Sequence, residues 1–306
     1  MTNKKAFSLI ELSIVILIIG ILVAGVTTSS RLIRAMKLIS AKQLTQSSPV
    51  LTIPDLLAWF EPTKEGIFGS GSAGTYTPLA NPDDGQRIAT WKDGNPRLTA
   101  GGELLATQTT INNQPFYVEN GINGLPTLNF VDDDFLEYAD NVGLSTGATI
   151  FVVFKASDFL TFRQIFVGGG IDLGTSQNGG NKCVALAHLN GAGWYGGWNS
   201  SNALSYDTSS PMLCRFSYSK GIIQSFMNGS PDTQTNAGLA YPLSRHNNGS
   251  QNFTIDYIAS QYIQTTLYNF HGYISELIVY GRGLKTDEVS DIEKYLARKY
   301  AIKLTY

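Results

Sequence analysis

The chain has 306 residues, enough for two units or for one large unit with an appendage, and enough to bury a substantial core. Its formal net charge is −2 with 15% charged residues, so no global field draws it to nucleic acid or to acidic substrates. A content of 31 glycines and 11% aromatic residues suits a β-rich domain with many turns; two cysteines fit an oxidising compartment but are too few for a disulfide framework.

The first element is an apolar run from Phe7 to Val26, preceded by Lys4 and Lys5, in which Glu11 is the only ionisable residue. As a helix the run is about 30 Å long, the thickness of a bilayer's hydrocarbon core. A carboxylate at mid-depth there costs about 2.5–3.5 kcal/mol, so Glu11 calls for a cationic partner. A cut between Ala6 and Phe7 supplies one, an α-amino group four residues before Glu11. Lys4 and Lys5 favour a cytoplasmic amino terminus, although Arg31, Arg34 and Lys37 beyond the run weaken that argument. A signal peptide cut after Val23-Ala24-Gly25, or an uncleaved anchor, leaves Glu11 unexplained.

The segment Lys4-Lys5-Ala6-Phe7-Ser8-Leu9-Ile10-Glu11-Leu12 resembles the processing site of type IV prepilins and pseudopilins. The resemblance implies that a prepilin peptidase cuts after Ala6, that Phe7 becomes an N-methylated terminus, and that Glu11 pairs with a neighbouring subunit's amino terminus during assembly. Ala6 departs from the glycine usual before the cut, which implies slower cleavage. Other pilin subunits and an inner-membrane assembly platform are the implied partners. The implied location is the bacterial inner membrane for the precursor, then a cell-surface pilus or a periplasmic filament.

Past the run, Leu32, Met36 and Ile39 continue an apolar stripe at helical spacing, with Arg31, Arg34, Lys37 and Lys42 on polar faces. That stripe is expected to pack on the carboxyl-terminal domain or on other subunits. The helix is expected to stop near Ser47-Ser48-Pro49. This divides the chain into a leader (1–6), a pilin helix (7–48, transmembrane over 7–26) and a β-sandwich (49–306).

From Leu51 the texture is strand and turn. Residues 149–155 are apolar on both faces and read as a buried strand. Met212, Cys214, Phe216 and Tyr218 share one face of a strand over 212–218. Residues 222–227 follow a turn at 219–221, and Asn228-Gly229 marks another turn. Residues 253–259 alternate, and 274–280 form a last strand. This spacing predicts a sandwich of antiparallel sheets. Thr286 is the expected N-cap of a closing helix, with Asp287 and Glu288 in its first turn and Val289, Ile292 and Leu296 on the face that caps the sandwich.

A second resemblance covers nearly all of 51–306, to the concanavalin A-like (laminin-G-like) jelly-roll domains of bacterial surface proteins. It is carried by Leu57-Ala58-Trp59-Phe60, Thr90-Trp91-Lys92-Asp93, residues 122–130, the Asp-rich turn at 132–134, Phe151-Val152-Val153-Phe154 and residues 270–280 with the final helix. These pieces are scaffold and say little about ligand. The fold class expected is therefore α+β: a long amino-terminal helix, then an all-β concanavalin A-like sandwich with a short carboxyl-terminal helix.

Glycosidases on this fold need two carboxylates flanking the scissile bond, and their Glu-x-Asp-x-x-Glu pattern is absent; the cluster Glu288, Asp291 and Glu293 lies on the closing helix. No enzyme is expected. Asp132, Asp133 and Asp134 are candidate Ca²⁺ ligands, or a solvated hairpin turn. Trp194, Tyr195, Trp198 and Asn199 are candidate glycan contacts, or rings that fill the core or a subunit interface. His188, His246 and His271 show no metal-ligand spacing, and the Gly-rich stretch 168–180 lacks a phosphate-loop ending. Cys183 and Cys214 form a disulfide or stay buried as free thiols. The function expected is a filament subunit displaying a lectin-like domain for surface or glycan adhesion. The rivals are a secretion-system pseudopilin without a ligand and, last, a filament-anchored glycan hydrolase.

Overall fold

The computed structural model describes residues 9–71, 75–96, 105–138, 147–158, 163–168, 171–176, 182–188, 194–195, 208–219, 222–231, 257–260 and 269–305. Helix α1 (Leu9–Gln46) runs into a short 3-10 turn at Pro49–Leu51. The first strands are β1 (Leu56–Phe60), β2 (Phe68–Ser70), β3 (Thr77–Pro78), β4 (Thr90–Lys92), β5 (Leu105–Thr107), β6 (Phe116–Val118), β7 (Thr127–Phe130), β8 (Leu136–Tyr138) and β9 (Gly147–Ala156). The next are β10 (Arg163–Gly168), β11 (Ile171–Ser176), β12 (Lys182–His188), β13 (Trp194–Tyr195), β14 (Met212–Ser219), β15 (Ile222–Met227), β16 (Ser230–Pro231), β17 (Tyr257–Ile258) and β18 (Gly272–Tyr280). Helix α2 (Thr286–Tyr300) closes the chain.

Among the described residues the strands form two antiparallel sheets. One has eight strands in the order β16-β15-β14-β9-β18-β7-β6, with β1 beside β18. The other has ten, in the order β13-β12-β11-β10-β17-β8-β5-β4-β2-β3. Strand β18 is the axis of the first sheet: β9 pairs along its length, while β7 and β1 share its other edge, at Gly272–Ile274 and at Leu277–Tyr280.

The eight-stranded sheet is buried on both faces, which explains the doubly apolar strand β9. Alternate residues Ile150, Val152 and Phe154 point into the core between the sheets, with Phe60, Trp91 and Phe130. The residues between them, Phe151 and Val153, enter a second core with Trp59, Leu213, Ile278 and α2's Ile292, Tyr295 and Leu296. Helix α2 therefore caps the sheet's outer face, together with the end of α1.

Local details differ from the sequence expectations in two places. The N-cap of α2 is Lys285 rather than Thr286; its amide donates to Glu288 Oε2 at 2.8 Å, and Glu288 reaches back to close the first turn. The Asp-rich turn is not a hairpin: β7 and β8 belong to different sheets, so residues 131–135 carry the chain across the sandwich. Of the expected strand 253–259, Tyr257–Ile258 form β17 and residues 253–256 lie outside the described residues. Asn228 and Gly229, both at positive φ, make the predicted tight turn between β15 and β16. Gly272 is required at the start of β18, since φ is +142° and a Cβ would lie 2.3 Å from the Lys155 carbonyl oxygen.

Candidate functional site

Two parts of α1 meet different surroundings. From Ile10 to Val23 the large apolar side chains described are 47% to 68% exposed, and Leu32, Met36 and Ile39 are exposed as well. The sandwich is thus not the partner of the Leu32–Met36–Ile39 stripe. The face that docks carries Ala41 and Thr45, buried and one helical turn apart, with Ser48 buried just beyond the end of α1. Glu11 falls in the first turns of α1, whereas Ala6 and Phe7 lie outside the described residues. Among the described residues no helix is long and apolar enough to cross a membrane.

Where α1 docks, the second core holds a buried polar cluster. Lys299, Glu61 and Glu276 have no side-chain exposure. Lys299 Nζ donates to Glu61 Oε1, to Glu276 Oε2 at 2.8 Å and to Thr45 Oγ1 at 2.8 Å. Glu276 also accepts from Trp59 Nε1 at 2.7 Å and from the hydroxyls of Tyr295 and Tyr300, each at 2.8 Å. Glu61 accepts from the Thr63 hydroxyl at 2.6 Å and from the amides of Thr63 and Lys64 at 3.1 and 3.0 Å. Burial pushes the Glu61 carboxyl up, but Lys299 and the Thr63 donors outweigh it and hold the group below its usual value. Burial, then the charges of Glu276 and Glu61, drive the Tyr295 and Tyr300 hydroxyls well above their usual range, so both stay protonated donors. The cluster ties α1, β1, β18 and α2 together. A second ion pair crosses the same interface, Arg215 Nε to Glu293 Oε1 at 2.8 Å.

Sequence reading missed this cluster, although two signals were present. Glu276 interrupts the apolar strand β18, and Lys299 falls seven residues after Ile292 on the buried face of α2. Beside the cluster, a cleft of about 590 Å³ opens between α1 and the sandwich, lined by Arg31, Arg34, Lys42, Lys64, Glu119 and Tyr117 among others.

The sequence-predicted residues are dispersed. Asp134 is buried, accepts from the Val131 amide at 3.0 Å and lies 3.5 Å from Arg87, while Asp132 and Asp133 are exposed. The three carboxylates therefore do not converge, and among the described residues no group of three His, Cys, Asp or Glu side chains is placed to hold a metal ion. Burial, ahead of the Val131 amide and Arg87, raises Asp134 to about 6. Trp194 and Tyr195 form β13, the end strand of the ten-stranded sheet; Trp198 and Asn199 lie outside the described residues, as do His246 and residues 251–256. His188 ends β12, and His271 Nδ1 lies 3.3 Å from Asp158 Oδ2. Of the acidic residues of α2, Glu288 pairs with Arg282 at 2.7 Å and Glu293 with Arg215. Cys214, on the inner face of β14, is disulfide-bonded. Cys183 lies on β12.

The architecture is thus that of a β-sandwich mounted on the end of an amino-terminal helix. Residues 1–27 match the prokaryotic N-terminal methylation motif. That motif implies processing by prepilin peptidase, assembly with other pilin subunits, and a membrane-anchored precursor that becomes a surface or periplasmic filament. The comparison with curated proteins returned no match. Similar solved structures include an arabinofuranosidase complexed with arabinofuranosyl-alpha-1,2-xylobiose, at 8% identity and TM-score 0.50, over 70% of this chain and 51% of that one. Another is domain 4 of AbnA, a GH43 extracellular arabinanase from Geobacillus stearothermophilus in complex with arabinotriose, at 17% identity and TM-score 0.47, over 78% and 98%. A Trypanosoma rangeli sialidase aligns at 11% identity and TM-score 0.46, over 87% of this chain but only 38% of its own.

One expectation is corrected. The missing Glu-x-Asp-x-x-Glu pattern predicts a protein without enzymatic activity, yet the arabinofuranosidase at TM-score 0.50 shares this fold, so the fold does not exclude an enzyme. The absent pattern excludes one arrangement of carboxylates on one strand, not hydrolase chemistry on this fold.

Proposed function

We propose that this chain is a filament subunit that displays its sandwich outward. In this reading residues 1–6 are removed, Phe7 becomes the methylated terminus, and Glu11 pairs with a neighbour's amino terminus. The observation that supports it is the methylation motif at residues 1–27, on a helix whose apolar side chains stand uncovered. So large an apolar surface needs a cover. The bilayer supplies it for the precursor, and neighbouring helices supply it in the filament. The decisive measurement is the ratio of sheared filament protein to membrane-retained protein for Glu11→Leu and the unaltered chain. A Glu11→Leu subunit that enters filaments normally overturns the role of the charge. Intact mass should place the mature terminus at Phe7; a terminus near Val26 overturns the processing.

The sandwich is read as a lectin-like adhesive head. Support comes from the aromatic segment at 194–199, whose Trp194 and Tyr195 form the end strand of the ten-stranded sheet, since sugar rings stack on aromatic faces. Purified filaments on a glycan array, with and without Trp194→Ala and Trp198→Ala, test it; silence across the array overturns it. Cys183, the other of the two cysteines, is the partner proposed for Cys214, which would join β12 to β14 across the sandwich. Two labelled thiols in the denatured, unreduced chain would refute that pairing.

A further inference from the structure

The Lys299 cluster holds more than a salt bridge requires. One ammonium sits between two carboxylates, all closed to solvent. A buried ion pair needs one carboxylate; a second is costly unless it has another task. Glu276 is fixed by three uncharged donors, Trp59 Nε1, Tyr295 and Tyr300, and these hold it against Lys299 Nζ whatever charge the lysine carries. Glu61 is fixed separately by Thr63 and Lys64, with one oxygen on Lys299 Nζ. An amine nucleophile, an acyl group and a proton acceptor are therefore packed together, each with its own supports.

We propose that Lys299 Nζ and the Glu61 side chain condense to an intramolecular amide bond, with Glu276 as the proton relay. Lys299 passes one proton to the Glu61 oxygen it touches and, as a neutral amine, attacks the carboxyl carbon of the now uncharged acid. Glu276 takes a second proton from the nitrogen of the tetrahedral intermediate and hands it to the hydroxyl, which departs as water. One N–H remains on the amide, and Glu276 returns to a carboxylate. The change needs no oxidant or external group. Condensation of an ammonium with a carboxylate is unfavourable between separate molecules in water. Here orientation is equivalent to an effective concentration of about 10⁵–10⁸ M, and exclusion of water removes the competing hydrolysis. Lys64 lies outside the trio, with Nζ 2.8 Å from the Gly94 carbonyl and 3.9 Å above the Trp59 ring.

The bond would enclose residues 61–299 in one covalent ring. In a filament loaded through α1, a pull that stripped β1 from β18 would stop at Glu61, where the bond passes the load to α2. That benefit rests on the filament reading; the bond itself does not.

The test is mass spectrometry of the purified full chain, denatured and reduced. The expected chain is lighter by one water than its processed sequence, and digestion yields one branched peptide that joins the Glu61 segment to the Lys299 segment. Lys299→Arg keeps the charge and should restore the full mass. Glu276→Gln keeps a hydrogen-bonding side chain there but removes the relay, and should leave the two peptides separate. Separate peptides in the unaltered chain overturn the proposal without recourse to any variant. A fully joined peptide in Glu276→Gln overturns the relay.

Discussion

The two faces of the eight-stranded sheet are built on different principles. Toward the ten-stranded sheet, Phe60 meets Trp91 with ring centroids 5.3 Å apart and Phe154 meets Phe270 at 5.8 Å, in a core of apolar side chains. Toward the helices, apolar residues surround Lys299, Glu61, Glu276 and a second ion pair. Apolar packing is non-directional and tolerates rearrangement. A buried charge is stable in one arrangement of partners only. The inner face holds the sheets together; the outer face sets how α1 leaves the sandwich.

Lys299→Met is the sharpest way to break that contrast. It strands two buried carboxylates and should destabilise the full chain by about 3–5 kcal/mol at neutral pH. Phe154→Ala, on the inner face, should cost a similar 3–5 kcal/mol by leaving a cavity. Thermal melting across pH separates them. The Lys299→Met loss should shrink on acidification, as the stranded carboxylates bind protons, while the Phe154→Ala loss should not.

Asp93 lies at the seam of the two faces. It accepts from the amides of Trp59 and Asn95, both at 2.8 Å, and burial, ahead of those bonds, raises its carboxyl to about 6. A carboxyl raised in the fold binds more protons there than in the unfolded chain between its ordinary value of 3.8 and about 6. Its ionisation therefore weakens the fold as pH rises through that window, by roughly 2–3 kcal/mol at most. Melting temperatures between pH 4 and 7 should show that part of the slope vanish in Asp93→Asn. Glu288 acts oppositely: Arg282 holds it at about 2, so its contribution is complete above 4.5 and lost as pH falls toward 2.

Thr45 carries the outer-face network into α1. Thr45→Val removes the hydroxyl 2.8 Å from Lys299 Nζ and should cost about 1–3 kcal/mol, seen as a lower melting temperature. The smallest effect is expected where α1 touches nothing. Met36→Glu lies on an exposed face, so the isolated chain should melt within about 0.5 kcal/mol of the unaltered one. Its incorporation into filaments should nevertheless fall, because that face is the one left for neighbours.

Part of this is legible in the residues. The strands at 149–155, 212–218 and 274–280 show in their hydrophobic patterns, because alternation on a pleated sheet is a local property. The same pattern could not show that β9 feeds two cores, since apolar residues on both faces state burial without naming what buries them. The turn at 131–135 reads as a hairpin by composition and is a crossover in space, because the residues that favour turns do not specify which sheet comes next.

What the sequence determined by itself is the amino-terminal motif: two lysines, Phe7, Glu11 and an apolar run are contiguous, so the motif is complete without any long-range contact. What only the tertiary structure decided is the junction. Thr45, Glu61, Glu276 and Lys299 are scattered across the chain and meet at hydrogen-bonding distance through Lys299 once α1, β1, β18 and α2 pack together. The physical reason is that a buried ion becomes tolerable only when its partners arrive from elsewhere, and no local pattern records where elsewhere will be.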